Sequence, residues 1–91
     1  MVDVLLINPP NRIDAYSTGK EMVPLGLLSV AGYMEKSGHR VMVLDLEFED
    51  QAVDKIIEAE KPRLVGIAGT SATRFEAFDL ARLTKKVNPH I

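Results

Sequence analysis

Val2-Asp3-Val4-Leu5-Leu6-Ile7, closed by Asn8-Pro9-Pro10-Asn11, is an apolar run broken only by Asp3. It is too short for a helix and is β-branched at Val2, Val4 and Ile7, so it reads as a strand buried on both faces. The two prolines stop it, because neither can donate a ladder hydrogen bond. A strand of this kind is at home in the middle of a parallel sheet, and the rest of the chain has to supply its neighbours.

Two further runs do so. Residues 41–46 and 64–68 are short, apolar and rich in Val, Leu and Ile. Between the runs lie helical patterns. The first is expected over 24–36: Pro24 suits a first turn, Gly38 a C-terminal stop, and Leu27, Val30, Ala31 and Met34 fall at i, i+3, i+4 and i+7. Gly26, Ser29 and Gly32 add small residues that permit close approach. The second follows the acidic Glu47, Glu49 and Asp50, carries Val53, Ile56 and Ile57 on one face, and ends at Lys61-Pro62. The third opens at Thr73, with Glu76 at capping-box spacing, and runs to about Val87. Its expected inward stripe is Ala77, Leu80, Ala81, Thr84 and Val87. Phe75 lies roughly opposite that stripe and Phe78 at its margin.

Strands alternating with helices imply parallel pairing and right-handed crossovers. The expected fold is α/β: a Rossmann-like or flavodoxin-like three-layer βαβαβα fragment with strand order 2-1-3. The first helix would cover one face, and the second and third helices the other. Residues 1–91 read as a single truncated domain, ending at Asn88-Pro89-His90-Ile91 where a fourth strand is due. That would leave strand 3 an apolar edge, suited to self-association or to docking.

Bulk properties narrow the function. Ninety-one residues with a net charge of −2 make one small, near-neutral domain with scattered Lys and Arg, which argues against nucleic acid as a partner. The chain has no cysteine, so it holds no disulfide, thiol nucleophile or cysteine-ligated cluster. His39 and His90 are the imidazoles, far apart in sequence. His39, just past Gly38, reads as a cation at a helix C-terminus and His90 as part of an exposed tail. No apolar run approaches the ~18–20 residues of a membrane span, and the N-terminus lacks a secretory pattern. A cytoplasmic protein is expected.

In an open parallel sheet, ligands bind beyond the carboxyl ends of the strands, where the strand order reverses. Here that edge carries the loops at 8–23, 45–50 and 69–73. The first loop is long for a strand-to-helix connection and includes Tyr16 and Lys20. It holds no G-x-G-x-x-G, so a dinucleotide fingerprint is unsupported. Asp45 stands where a ribose-binding acid would, and equally where a turn residue would. Gly69-Thr70-Ser71-Ala72-Thr73 is small, hydroxyl-rich and opens a helix. Its N–H groups can hold a phosphate or polar tail, and the same residues also serve as a turn and N-cap.

Certain longer stretches are more distinctive: residues 5–11 with Asn8-Pro9-Pro10; residues 24–39 with Pro24-Leu25-Gly26-Leu27 and Gly38-His39; Val41 through Asp45; and Pro62-Arg63-Leu64-Val65-Gly66-Ile67-Ala68. Together they resemble the N-terminal cobalamin-binding domain of cobalamin-dependent radical S-adenosylmethionine enzymes. That group includes methyltransferases and anaerobic magnesium-protoporphyrin monomethyl ester cyclases. The resemblance implies a domain presenting cobalamin to a downstream barrel that carries a 4Fe-4S cluster and S-adenosylmethionine. It places Asn8, Pro9, Pro10, Gly69, Thr70, Ser71 and Thr73 around the cofactor and makes none of them catalytic or a metal ligand. The D-x-H-x-x-G pattern, whose histidine ligates cobalt in better-known domains, is absent after strand 1. Two other readings stand beside this one: a docking or dimerisation module, pairing through strand 3, that has lost cobalamin, and a small nucleotide-binding α/β module.

Overall fold

The computed structural model describes residues 1–10, 25–46, 51–69 and 73–91. The elements follow in the order β1 (Val4–Asn8), α1 (Leu25–Lys36), β2 (Val41–Asp45), α2 (Val53–Glu60), β3 (Leu64–Ile67) and α3 (Arg74–Val87). The three strands form one parallel sheet in the order β2-β1-β3. This is the open, flavodoxin-like α/β arrangement expected from the alternating pattern. The first strand starts two residues later than expected and takes in Asn8.

The continuous apolar run of β1 is explained by its central place. Val4 and Leu6 face one side and pack with Ala31, Leu27 and Met34 of α1. Leu5 and Ile7 face the other side, where Val53, Ile57 and Leu80 of α2 and α3 close over them. Each of these buried aliphatic side chains contributes ~1.5–3 kcal/mol relative to exposure. One position on β3 is shaped by its neighbour: a Cβ on Gly66 would stand 2.7 Å from Leu6 Cδ2, so Leu6 fills the space that a β3 side chain would take.

The strand starts are tied together at Asp3. Its N–H donates to the Arg40 carbonyl at 2.8 Å, and its carbonyl accepts from the Arg63 and Leu64 N–H groups at 3.0 and 3.2 Å. Its carboxylate accepts the Arg40 N–H at 2.8 Å, with the Arg40 guanidinium 3.8 Å away. That backbone hydrogen bond, helped by the charges of Arg40, His39 and Arg63, holds the Asp3 carboxyl below the usual carboxylate range.

The helix ends follow their sequence signals in part. α1 closes in a Schellman arrangement: Gly38, at φ +92°, donates to the Glu35 carbonyl at 3.0 Å, and His39 to the Met34 carbonyl at 3.1 Å. Pro24, expected inside the first turn, lies outside the described residues. α2 ends at Lys61, which takes a left-handed conformation (φ 47°, ψ 54°) and donates its N–H to the Ile57 carbonyl.

Two inward stripes are corrected. On α1, Val30 is exposed, because the helix sits over β1 and β2 and leaves that flank uncovered. On α3, Ala81 is exposed and Leu83 packs on the core instead. The reason is that α3 leans on α2, while its other flank faces the β3 side, where no described strand follows. Phe75 and Phe78 both point outward, at 56% and 58% exposure.

Candidate functional site

The carboxyl ends of the strands bring several of the sequence-selected residues together. Asn8 ends β1 opposite Asp45 of β2 in the ladder register. Its Nδ2 donates to Asp45 Oδ1 at 3.0 Å, and its carbonyl accepts the Leu46 N–H at 3.0 Å. Asp45, read from sequence as a turn residue or a ribose acid, is thus one half of a side-chain clasp between two strand ends. Pro9, the next residue along the chain, is fully buried, and Pro10 is half-buried.

On the β3 side, the Ala68 N–H donates to the Ile7 carbonyl at 2.9 Å, which carries Gly69 out to the same edge. Gly69 is exposed, and a Cβ there would meet Ala77 Cβ at an ordinary 3.6 Å. Thr73 is buried and takes the N-cap position of α3, its carbonyl accepting the Ala77 N–H at 2.9 Å. Thr70 and Ser71 lie outside the described residues, as do Tyr16 and Lys20.

The hydroxyl half of the capping box expected from Thr73 and Glu76 is not made: the Thr73 side chain gives no capping hydrogen bond. Glu76 lines a cavity of about 420 Å³ at this edge, between the first turns of α2 and α3. Leu46, Val53, Leu80 and Leu83 give it an apolar lining, Pro10 borders it, and Asp54 and Asp79 add carboxylates. Glu76 Oε2 is shielded from solvent and has no hydrogen-bond partner. A shielded, unpaired carboxylate oxygen is costly in a folded protein and calls for a physical explanation. Sequence spacing assigned Glu76 to its own helix; that it also borders the cavity follows only from the packing of α3 beside α2.

Among the described residues, no group of three or more His, Asp or Glu is placed to hold a metal ion. Nor is any helix among them long and apolar enough to cross a membrane. Among the described residues, the edge offers a half-apolar cavity, carboxylate oxygens and the exposed backbone of Gly69.

Comparison with known proteins agrees with this geometry. The family model of the B12 binding domain matches residues 11–91. An uncharacterized methyltransferase of Pyrococcus horikoshii is 32% identical over an alignment of 101 residues, which takes in 100% of this chain and 20% of that protein. The anaerobic magnesium-protoporphyrin IX monomethyl ester cyclase of a Synechocystis species is 36% identical over 74 residues, covering 77% of this chain and 15% of that protein. The chain thus spans a fifth or less of the length of these relatives. No solved structure matches significantly. With a family match across most of its length and a relative aligned along all of it, the chain belongs to the B12-binding domain family.

Proposed function

We propose that this chain binds cobalamin at the carboxyl edge of its sheet, as the cofactor-binding part of a longer radical S-adenosylmethionine enzyme. The observation that carries this reading is the cavity of about 420 Å³ beside Pro10, bounded by the first turns of α2 and α3, in a chain of the B12-binding family. The residues present suit such a guest. A corrin has an apolar rim with polar amide arms, and this edge sets apolar side chains beside carboxylates. The contact set is Asn8, Pro9, Pro10, Gly69, Thr70, Ser71 and Thr73, with the fully buried Pro9 acting through packing.

When bound, cobalamin supplies a cobalt centre able to carry a methyl group or exchange electrons. This chain's residues would bind and orient it, and the loop after β1 would provide no histidine to the cobalt. The 4Fe-4S cluster and S-adenosylmethionine would belong to a separate downstream barrel, since this chain has no cysteine. The names of the two relatives make a methyl transfer or a cyclisation the candidate reactions of the whole enzyme, in the cytoplasm.

The test is an absorbance titration of the purified chain with hydroxocobalamin and methylcobalamin, followed by desalting. Retained pigment with a shifted spectrum is the expected result. Complete loss of colour at high cofactor concentration would sink the reading for this chain.

A second reading, docking or dimerisation without cobalamin, draws on the β3 edge. The Leu64 and Ala68 N–H groups point to β1, so by strand alternation the backbone groups of Val65 and Ile67 point away from it. Leu64 is 52% exposed, and a groove of about 190 Å³ runs beside the strand, lined by Val65, Ile67, Ala81, Thr84 and Ile91. This edge would receive a second copy or the downstream barrel. Colourless protein that sediments as a dimer would favour this reading.

A further inference from the structure

We propose that the outward face of α3 docks an acidic patch on a separate protein, with Phe75 and Phe78 covering its apolar centre and Arg74, Arg82 and Lys86 facing its carboxylates. The inference does not depend on the cobalamin reading. Phe75 and Phe78 are 56% and 58% exposed, and Arg74, Arg82 and Lys86 are exposed with them. At 3.6 residues per turn these five side chains share one side of the helix, opposite Leu80, Thr84 and Val87, which face the core. The patch therefore lies on the side of α3 away from the sheet. A strand added beside β3 would lie along the groove at Ala81 and Thr84 and leave it open.

The charge of the face names the chemistry of its partner. Residues 74–87 hold four cations (Arg74, Arg82, Lys85 and Lys86) and two acids (Glu76 and Asp79), a net +2. The whole chain is −2, so the remainder is −4. This helix is a local reversal of the chain's sign, and a compact acidic patch complements it. An extended polyanion would also meet the field of the acidic remainder. The Arg74 guanidinium stands 4.5 Å from the Phe75 ring centroid, which keeps a cation beside the aromatic surface. Arg82 pairs with Asp79 at 3.5 Å, but both side chains are at least 75% exposed, and such a pair opens at little cost. From Phe75 to Lys86 the face is roughly 16 Å long. A patch so small, rimmed with charge, suits a transient encounter rather than a permanent interface.

The test is a titration of the whole chain, labelled with nitrogen-15, with a helical probe peptide that carries two leucines one turn apart ringed by glutamates. A control peptide has glutamine in place of every glutamate. The expected result is amide shifts confined to residues 74–86, with affinity about tenfold lower for the control peptide and falling about tenfold as salt rises from about 50 to 300 mM. Phe75→Ser with Phe78→Ser, and Arg82→Gln with Lys86→Gln, should each lower affinity about tenfold while the amide spectrum of the sheet is retained.

No shifts at about 1 mM peptide would overturn the proposal. So would equal affinity for the control peptide, full affinity in either double variant, or shifts centred on α1 or the β3 edge. Binding of the same face to phosphatidylserine vesicles at physiological salt, undisturbed by the peptide, would reassign it to a lipid surface and overturn the protein partner. Loss of peptide binding in a longer polypeptide continuing past Ile91 would make the patch an internal contact, and would overturn it as well.

Discussion

Asp3, just before β1, and Asn8, at its end, hold the two ends of the sheet in different ways. Asp3 has its pKa lowered by the Arg40 backbone N–H and the surrounding cations. A carboxyl whose pKa is lower in the folded chain than in the unfolded one adds stability above its ordinary pKa, and that contribution is lost as pH falls through the folded value. Urea unfolding of wild type and Asp3→Asn, compared from pH 7 downward, should therefore show a difference that is constant at neutral pH and shrinks below about pH 4. A pH-independent difference would exclude Asp3 as its source. At the other end, Asn8→Ala should cost about 1 kcal/mol through the lost Nδ2–Oδ1 bond. Asn8→Ala and Asp45→Ala should also be non-additive in a double-mutant cycle, because each removes the same bond. Asn8 was legible in the sequence as a residue at the carboxyl end of the first strand. Its bond to Asp45 was not, because the ladder register that sets them side by side exists only once both strands are paired.

Among the elements, helices and strands were legible because their periods differ, and because parallel β1 needs apolar residues on both faces. What could not be read was how far round each helix is covered. An inward stripe drawn from spacing alone assumes a partner on both flanks. α3 has α2 on one flank, so Leu83 is covered, and an open β3 edge on the other, so Ala81 is not. The end of α2 shows a similar limit. Lys61 before Pro62 marked the stop, but not the left-handed geometry it adopts. A residue with a Cβ in that region is strained by roughly 1–2 kcal/mol, and glycine is not. Lys61→Gly should therefore be neutral to stabilising, by up to about 1 kcal/mol after glycine's extra chain entropy, as read from the denaturation midpoint. A loss of stability would show that the Lys61 side chain makes a contribution larger than this strain.

For the molecule as a whole, apolar surface lies open on both sides of the sheet. Leu25, Leu28, Val30 and Tyr33 of α1 are exposed, as are Leu64 on β3 and Phe75 and Phe78 on α3. A helix apolar around most of its circumference normally has a second layer against it. Placing Lys at the exposed position of the β3 edge, as Leu64→Lys, should reduce any association seen by sedimentation velocity and raise solubility at high concentration. An unchanged sedimentation profile in a wild type that does associate would move the contact to α1 or to the Phe75–Phe78 face. The contact between Leu6 and Gly66 also bears on descent. Because Leu6 occupies the room of a side chain that β3 lacks, the two positions share one volume although 60 residues separate them. Gly66→Ala alone should cost about 1–3 kcal/mol by overpacking, and Leu6→Val alone about 1 kcal/mol by underpacking, while the pair together should cost less than their sum. Related chains should then be found to exchange bulk between these two sites as a unit, with a larger residue on the third strand accompanied by a smaller one on the first.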